Sequence, residues 1–146
     1  ADWTRVLVGY LILLATWLWD SPSSIRDFLQ ESANLQVLIQ PVAQSSGIDP
    51  LIQSLSAFVL GIIYEFNTEP GDLDRATMHP ILHTRIGADN FGVRLLRLRD
   101  DPRFRAVGPD VLERIGDDPA LAKEEQHDGL WFDWTFVEFW KINFRE

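Results

Sequence analysis

Cysteine is absent from all 146 residues, which excludes disulfides, thiolate zinc sites and cysteine nucleophiles and permits a reducing compartment. Positive charge is scarce as well: 13 Lys and Arg stand against 22 Asp and Glu, a formal charge of −9. A surface of that sign repels nucleic-acid phosphates and anionic lipid headgroups, so no nucleic acid is expected as a partner. No apolar run is long enough for a membrane span. The opening stretch Val6 to Trp19 passes 14 residues without a charge, short of the roughly 20 that a hydrocarbon core demands. It does not read as a secretory signal either, because only Arg5 precedes it and the bulky Trp17 and Trp19 close it.

Chemistry-bearing motifs are also missing. The nine glycines are scattered, so neither a phosphate loop nor a G-x-S-x-G elbow can be formed. "HPILH" sets His79 and His83 four apart, the spacing of a helical zinc pair, but no glutamate follows His79 and Pro80 intervenes. The third histidine, His127, falls in a stretch that reads as loop. Asp117 with Asp118, and Glu124 with Glu125, are neighbours in a polar run and are expected to point into water. The expectation is a non-enzymatic protein with no metal and no cofactor.

Aromatic residues are abundant. Six Trp and nine Phe in so short a chain require large buried surfaces or exposed anchors for a partner. Apolar residues make up 46% and charged residues 24%, the balance of an ordinary globular domain. In the first greasy run, Arg5, Gly9, Thr16 and Asp20 share one narrow helical stripe, so the helix is expected to be covered on most sides, as in the middle of an all-helical stack.

After Pro22, Ser24 offers an N-cap for a short helix carrying Ile25, Phe28 and Leu29; Ser32 and Asn34 then break it and cap another over about 35–44, with a kink or early end at Pro41. Asp49 as cap and Pro50 at the first position open a long helix to Phe66, apolar around most of its circumference except at Ser54, Gly61 and Glu65. Setting Trp17 against Ile63 or Tyr64 gives a period of about 46 residues, within the 40 to 47 of armadillo and HEAT arrays. The spacing further predicts a helix over 74–86 broken by Pro80, another after Asp89, and an acidic loop that includes the run 110–128. The final "WFDWTFVEFWKINFRE" reads as a helix. This divides the chain into helical repeats over 1–101, an acidic irregular loop over 102–129 and an aromatic closing helix over 130–146. Gln53, near the start of the third long segment, and Tyr64, Glu65, Asn67 and Glu69, where it meets its turn, are the candidate partner-binding residues.

"TWLWDSPSSIRDFLQESANLQVLIQPVAQSSGIDPLIQSLSAFVLGIIYEFN" (16–67), "LHTRIGADNF" (82–91) and "WFDWTFVEF" (131–139) closely resemble the globular head of the general vesicular transport factor family. The resemblance implies an all-α, armadillo-like helical solenoid. It also implies a cytoplasmic vesicle tether of ER-to-Golgi and intra-Golgi membrane traffic. Such a tether is peripheral on Golgi and vesicle membranes through its partners, and it acts with Rab-type small GTPases and SNARE proteins. The family's further repeats upstream and its dimerising coiled coil downstream, the source of an expected homodimer, are not in these residues, so the chain reads as a fragment whose uncovered faces favour self-association. The other reading is a general armadillo scaffold that binds basic peptides or another protein in an acidic groove.

Overall fold

The computed structural model describes residues 2–105. Among them are seven helices and no strand: α1 (Asp2–Leu18), α2 (Pro22–Leu29), α3 (Ser32–Ala43), α4 (Pro50–Phe66), α5 (Arg75–Arg85), α6 (Ala88–Asp100) and α7 (Pro102–Arg105). The all-α expectation holds, with a long helix, two short ones and a second long one in sequence. Residues 1–98 make one compact unit and 99–146 another. Of the second, the described part is the end of α6 and the short α7, where Arg103 pairs with Asp101 at 3.0 Å and Phe104 is buried. The rest of the expected acidic loop, His127 and the aromatic ending lie outside the described residues.

α4 is the centre of the first unit. Every residue from Leu51 to Leu60 is buried, and Ile62 and Ile63 extend the run. α1 and α3 supply most of its cover. A fully buried Leu or Ile contributes about 1.5–3 kcal/mol relative to exposure, so this one helix carries much of the apolar stabilisation. Its start is set as the sequence implies: the Asp49 carboxylate accepts from Leu51 N at 2.8 Å and Pro50 occupies the first turn.

Burial on all sides leaves no water for polar groups, so those present must pair internally. Ser54 Oγ donates to Pro50 O at 2.8 Å. Gln53 is only 3% exposed, and its amide donates to Pro41 O at 3.1 Å and Gln44 O at 2.8 Å. From α6, Asn90 donates to Val42 O at 3.3 Å and Arg94 to Gln44 O at 3.0 Å. Three side chains from two helices thus pair the free carbonyls at the end of α3, where the helix dipole is negative. Burial, with Arg97 nearby, lowers the Arg94 pKa from its ordinary value, and its Nε has no hydrogen-bond partner among the described residues.

Several local expectations shift. α1 is covered along one face only: Val8, Leu11, Leu14, Ala15 and Leu18 are buried while Trp3, Val6, Leu7, Tyr10, Leu13 and Trp17 are exposed. The mostly covered helix is α4, not α1. α2 begins at Pro22 with Ser21, not Ser24, in the cap position, because a proline at the first turn loses no hydrogen bond. Ser21 Oγ instead donates to Ser24 Oγ at 2.7 Å. Asn34 lies inside α3 and pairs the end of α2, its amide donating to Phe28 O at 2.8 Å. α3 runs through Pro41 to Ala43 with no early end there, and α5 likewise runs continuously through Pro80. Gly87, at φ +83°, closes α5 by donating to Leu82 O at 3.1 Å, a left-handed position that costs glycine little.

Replacing Gln53 by leucine leaves Pro41 O without its donor and is expected to cost about 2 kcal/mol. A urea titration checks this as a lower midpoint at unchanged slope. An unchanged midpoint would mean that the α3 end does not depend on this amide.

Candidate functional site: the C-terminal end of α4

The last turn of α4 and the loop to α5 gather most of the candidate residues. Helix ends leave carbonyls unpaired, and here a residue from the next helix pairs them. Arg75 Nε donates to Tyr64 O at 2.9 Å, a second guanidinium nitrogen donates to Glu65 O, and Arg75 Cζ stands 5.4 Å from the Tyr64 ring centroid. That stacking adds a cation–π contact. Asn67, only 7% exposed, turns its amide inward to Leu73 O at 2.9 Å and Met78 Sδ at 3.2 Å, so it shapes the loop. Glu69 faces Arg26 of α2 at 3.4 Å, with both side chains substantially exposed. Such a surface pair contributes at most about 1 kcal/mol and can be exchanged for a partner's charge.

Two recesses flank this end. One, of about 340 Å³, is of mixed character, with Arg26, Gln30, Glu69 and Asp72 lining it beside Leu29 and Leu73. The other, of about 370 Å³, is largely apolar, with Leu60, Leu82, Ile86 and Phe91 among its lining and Tyr64 and His79 also facing it. Tyr64 stands 6.2 Å from His79, and the His79 and His83 rings lie nearly parallel 6.1 Å apart. Two imidazoles supply two ligands, and a held metal needs more. Among the described residues no group of three or more His, Cys, Asp or Glu comes together.

Of the five candidates, Tyr64, Glu65 and Glu69 reach the surface within one region, and Asn67 supports it from beneath. Gln53 does not join them. It lies inside the stack at the other end of α4, so it presents no surface to a partner; a polar residue on an otherwise apolar helix here marks a carbonyl that needs a donor. Sequence reasoning passed over Arg75 and Arg26. The signal available for Arg75 was a lone basic residue just after the turn that follows a long helix with no basic residue in its last turn.

α5 is anchored beside this site by Asp74, whose carboxylate accepts from Thr77 N at 2.8 Å. The Thr77 hydrogen bonds hold the Asp74 pKa below its ordinary 3.8. A carboxyl group whose folded pKa is lowered stabilises fully above its unfolded pKa, and that contribution is lost as pH falls through the folded value. Asp74→Asn is therefore expected to lose part of the acid-side dependence of the urea midpoint, measured between about pH 2 and pH 6. An identical pH profile would remove Asp74 as a titrating cap. Arg75→Met keeps the stem but removes both donated bonds and is expected to cost about 1 kcal/mol, read from the same titration at neutral pH.

A stack of helices in which α4 is enclosed by its neighbours, with recesses at its C-terminal end, defines an all-helical scaffold. The whole chain, residues 1–146, matches the family model described as "Uso1 / p115 like vesicle tethering protein, head region", and the chain belongs to that family. It is 36% identical over 86 residues to the general vesicular transport factor p115 of Mus musculus, and likewise 36% identical over 86 residues to that of Homo sapiens, each match covering 58% of this chain. It is 31% identical over 93 residues, 63% of this chain, to the intracellular protein transport protein uso1 of Schizosaccharomyces pombe. The chain spans 9% of the length of these relatives. No helix among the described residues is long and apolar enough to cross a membrane.

Proposed function

We propose that this chain serves as part of the head of a non-enzymatic vesicle tether, acting by protein–protein binding in ER-to-Golgi and intra-Golgi traffic. Its partners in this reading are Rab-type small GTPases and SNARE proteins. It is cytoplasmic, it meets Golgi and transport-vesicle membranes through those partners, and it homodimerises in the full-length protein through a downstream coiled coil. The observation that carries the reading is the family match over the entire chain. The surface at the end of α4 supports it physically: an aromatic ring, two carboxylates and a neighbouring apolar recess are held on a rigid helix end. Aromatic anchors beside exchangeable charges suit recognition of a folded partner, and tethering needs reach and grip with no bond chemistry.

The armadillo geometry belongs to this reading, with the order long, short, short, long in its favour. A general scaffold for basic peptides is the second reading, favoured by the net charge of −9.

The immobilised 146-residue chain is expected to enrich a Rab-type GTPase in one nucleotide state, and Tyr64→Ala with Glu65→Arg to weaken that capture at least about tenfold, or 1.4 kcal/mol. Equal capture by an unrelated helical solenoid, or capture indifferent to nucleotide and to the substitutions, counts against the reading. Preferential, salt-sensitive binding of lysine-rich peptides would favour the scaffold instead.

A further inference from the structure

The apolar recess beside the α4 end takes its walls from three consecutive helices: Leu60 and Tyr64 of α4, His79 and Leu82 of α5, and Phe91 and Gly92 of α6. Its volume of about 370 Å³ lies at the lower end of the roughly 300–1,000 Å³ of ligand pockets, room for a large side chain or two and not for a helix. Tyr64 is half-buried and His79 and His83 are exposed along its rim, so the recess opens to the surface. Its depth comes from glycine. Glycine inside a helix is less stable than alanine there, yet Gly61 of α4 and Gly92 of α6 both line the recess. At Gly61 the chain itself supplies a reason, because an added Cβ would stand 3.4 Å from the Phe91 ring. At Gly92 it supplies none: among the described residues no neighbour lies within 4 Å of where a Cβ would stand. A side chain at position 92 would fit and would strengthen α6, but it would fill the recess.

Charge identifies the kind of occupant. Residues 75–98 hold four Arg and two of the three His against one acid, Asp89, whereas residues 1–74 hold nine Asp and Glu against Arg5 and Arg26. The helices on one side of the recess are thus the basic part of an acidic chain. Arg75, His79 and His83 follow one another at spacings of four and share one stripe of α5. Arg75 stands over the ring of Tyr64, its described bonds go to carbonyl oxygens, and no carboxylate pairs with it among the described residues. Glu65 and Asp89 are neighbours in sequence of residues in the walls but do not line the recess. A carboxylate brought to this rim finds a guanidinium and two imidazoles able to donate N–H groups to it.

The walls favour an aromatic anchor. The His79 and His83 rings lie nearly parallel 6.1 Å apart, Tyr64 stands 6.2 Å from His79, and Phe91 closes the α6 side. Rings at such separations accept another ring edge-on or offset, with aliphatic contact from Leu60 and Leu82. We propose that this recess docks an acidic protein segment through one aromatic side chain, the ring entering between α4, α5 and α6 while flanking Asp or Glu residues meet Arg75, His79 and His83. The site shares Tyr64 with the surface assigned to a GTPase but does not rest on that reading, since the partner is defined by its own chemistry and no nucleotide enters the measurement.

Fluorescence anisotropy with a labelled peptide of about a dozen residues, Asp, Glu and Ser around a single central phenylalanine, is expected to give a Kd on the order of 10–100 µM for the 146-residue chain at low salt. Replacing that phenylalanine by alanine, or the acids by lysines, should weaken binding at least about tenfold. In the chain, Gly92→Leu fills the recess and should weaken binding at least about tenfold while leaving the urea midpoint no lower. Val37→Gln, at an exposed apolar position of α3, should leave the affinity unchanged. If Gly92→Leu does not fold, the double variant His79→Glu with His83→Glu decides, because both side chains are exposed and two added carboxylates repel an acidic peptide. No binding at about 1 mM peptide, equal binding of the acidic and lysine peptides, or an affinity indifferent to the phenylalanine or to the recess substitutions would each overturn the proposal. Peptide binding that persists while GTPase capture fails sinks the tethering surface alone, and the converse sinks this site alone.

Discussion

The full enclosure of α4 governs the rest of the described structure. A helix buried continuously from Leu51 to Leu60 must be surrounded, and α1, α2, α3 and α5 are placed by the need to surround it. Enclosure also removes water from the end of α3, so the carbonyls of Pro41, Val42 and Gln44 have to be paired by Gln53, Asn90 and Arg94. Unpaired carbonyls in that place would each cost as much as several methylene groups of burial provide. Polar residues inside this stack are therefore positioned by backbone need, and Arg94, which has no carboxylate partner among the described residues, faces the negative end of a helix.

The same logic separates polar groups consumed inside the stack from those left at its surface. Gln53 and Asn67 direct their amides inward and are consumed by carbonyls and a thioether. Tyr64, Glu65 and Glu69 sit where α4 emerges from its cover, on a segment tightened by Arg75, and can change partners at little internal cost. A helix that is held fast because it is buried ends here in residues that reach the surface.

Much of the architecture was legible in the residues. Capping by Asp49 and Pro50, the ends of α4 and the succession of long and short helices follow from local chemistry that acts over a few positions. Where the reading slipped, competition between neighbouring signals decided. Pro22 could start α2 earlier than Ser24 could cap it, and Asn34 served the preceding helix from within its own. α1 and α4 have nearly the same apolar richness, yet only α4 is enclosed, because enclosure depends on how many other segments pack around a helix.

The residues alone determined that the described part of the chain is mainly helical, that α4 is bounded by Asp49 and Asn67, and that the sequence holds no cysteine, no glycine-rich phosphate loop and no G-x-S-x-G elbow. These follow from periodicity, caps and side-chain inventory, which are local and intrinsic. Tertiary structure alone decided which greasy face is covered and which stays in water, that Gln53 is a carbonyl donor, and that Arg75 reaches back across a turn to Tyr64. Those outcomes depend on distances between residues 10 or more apart in the chain, and only packing sets such distances.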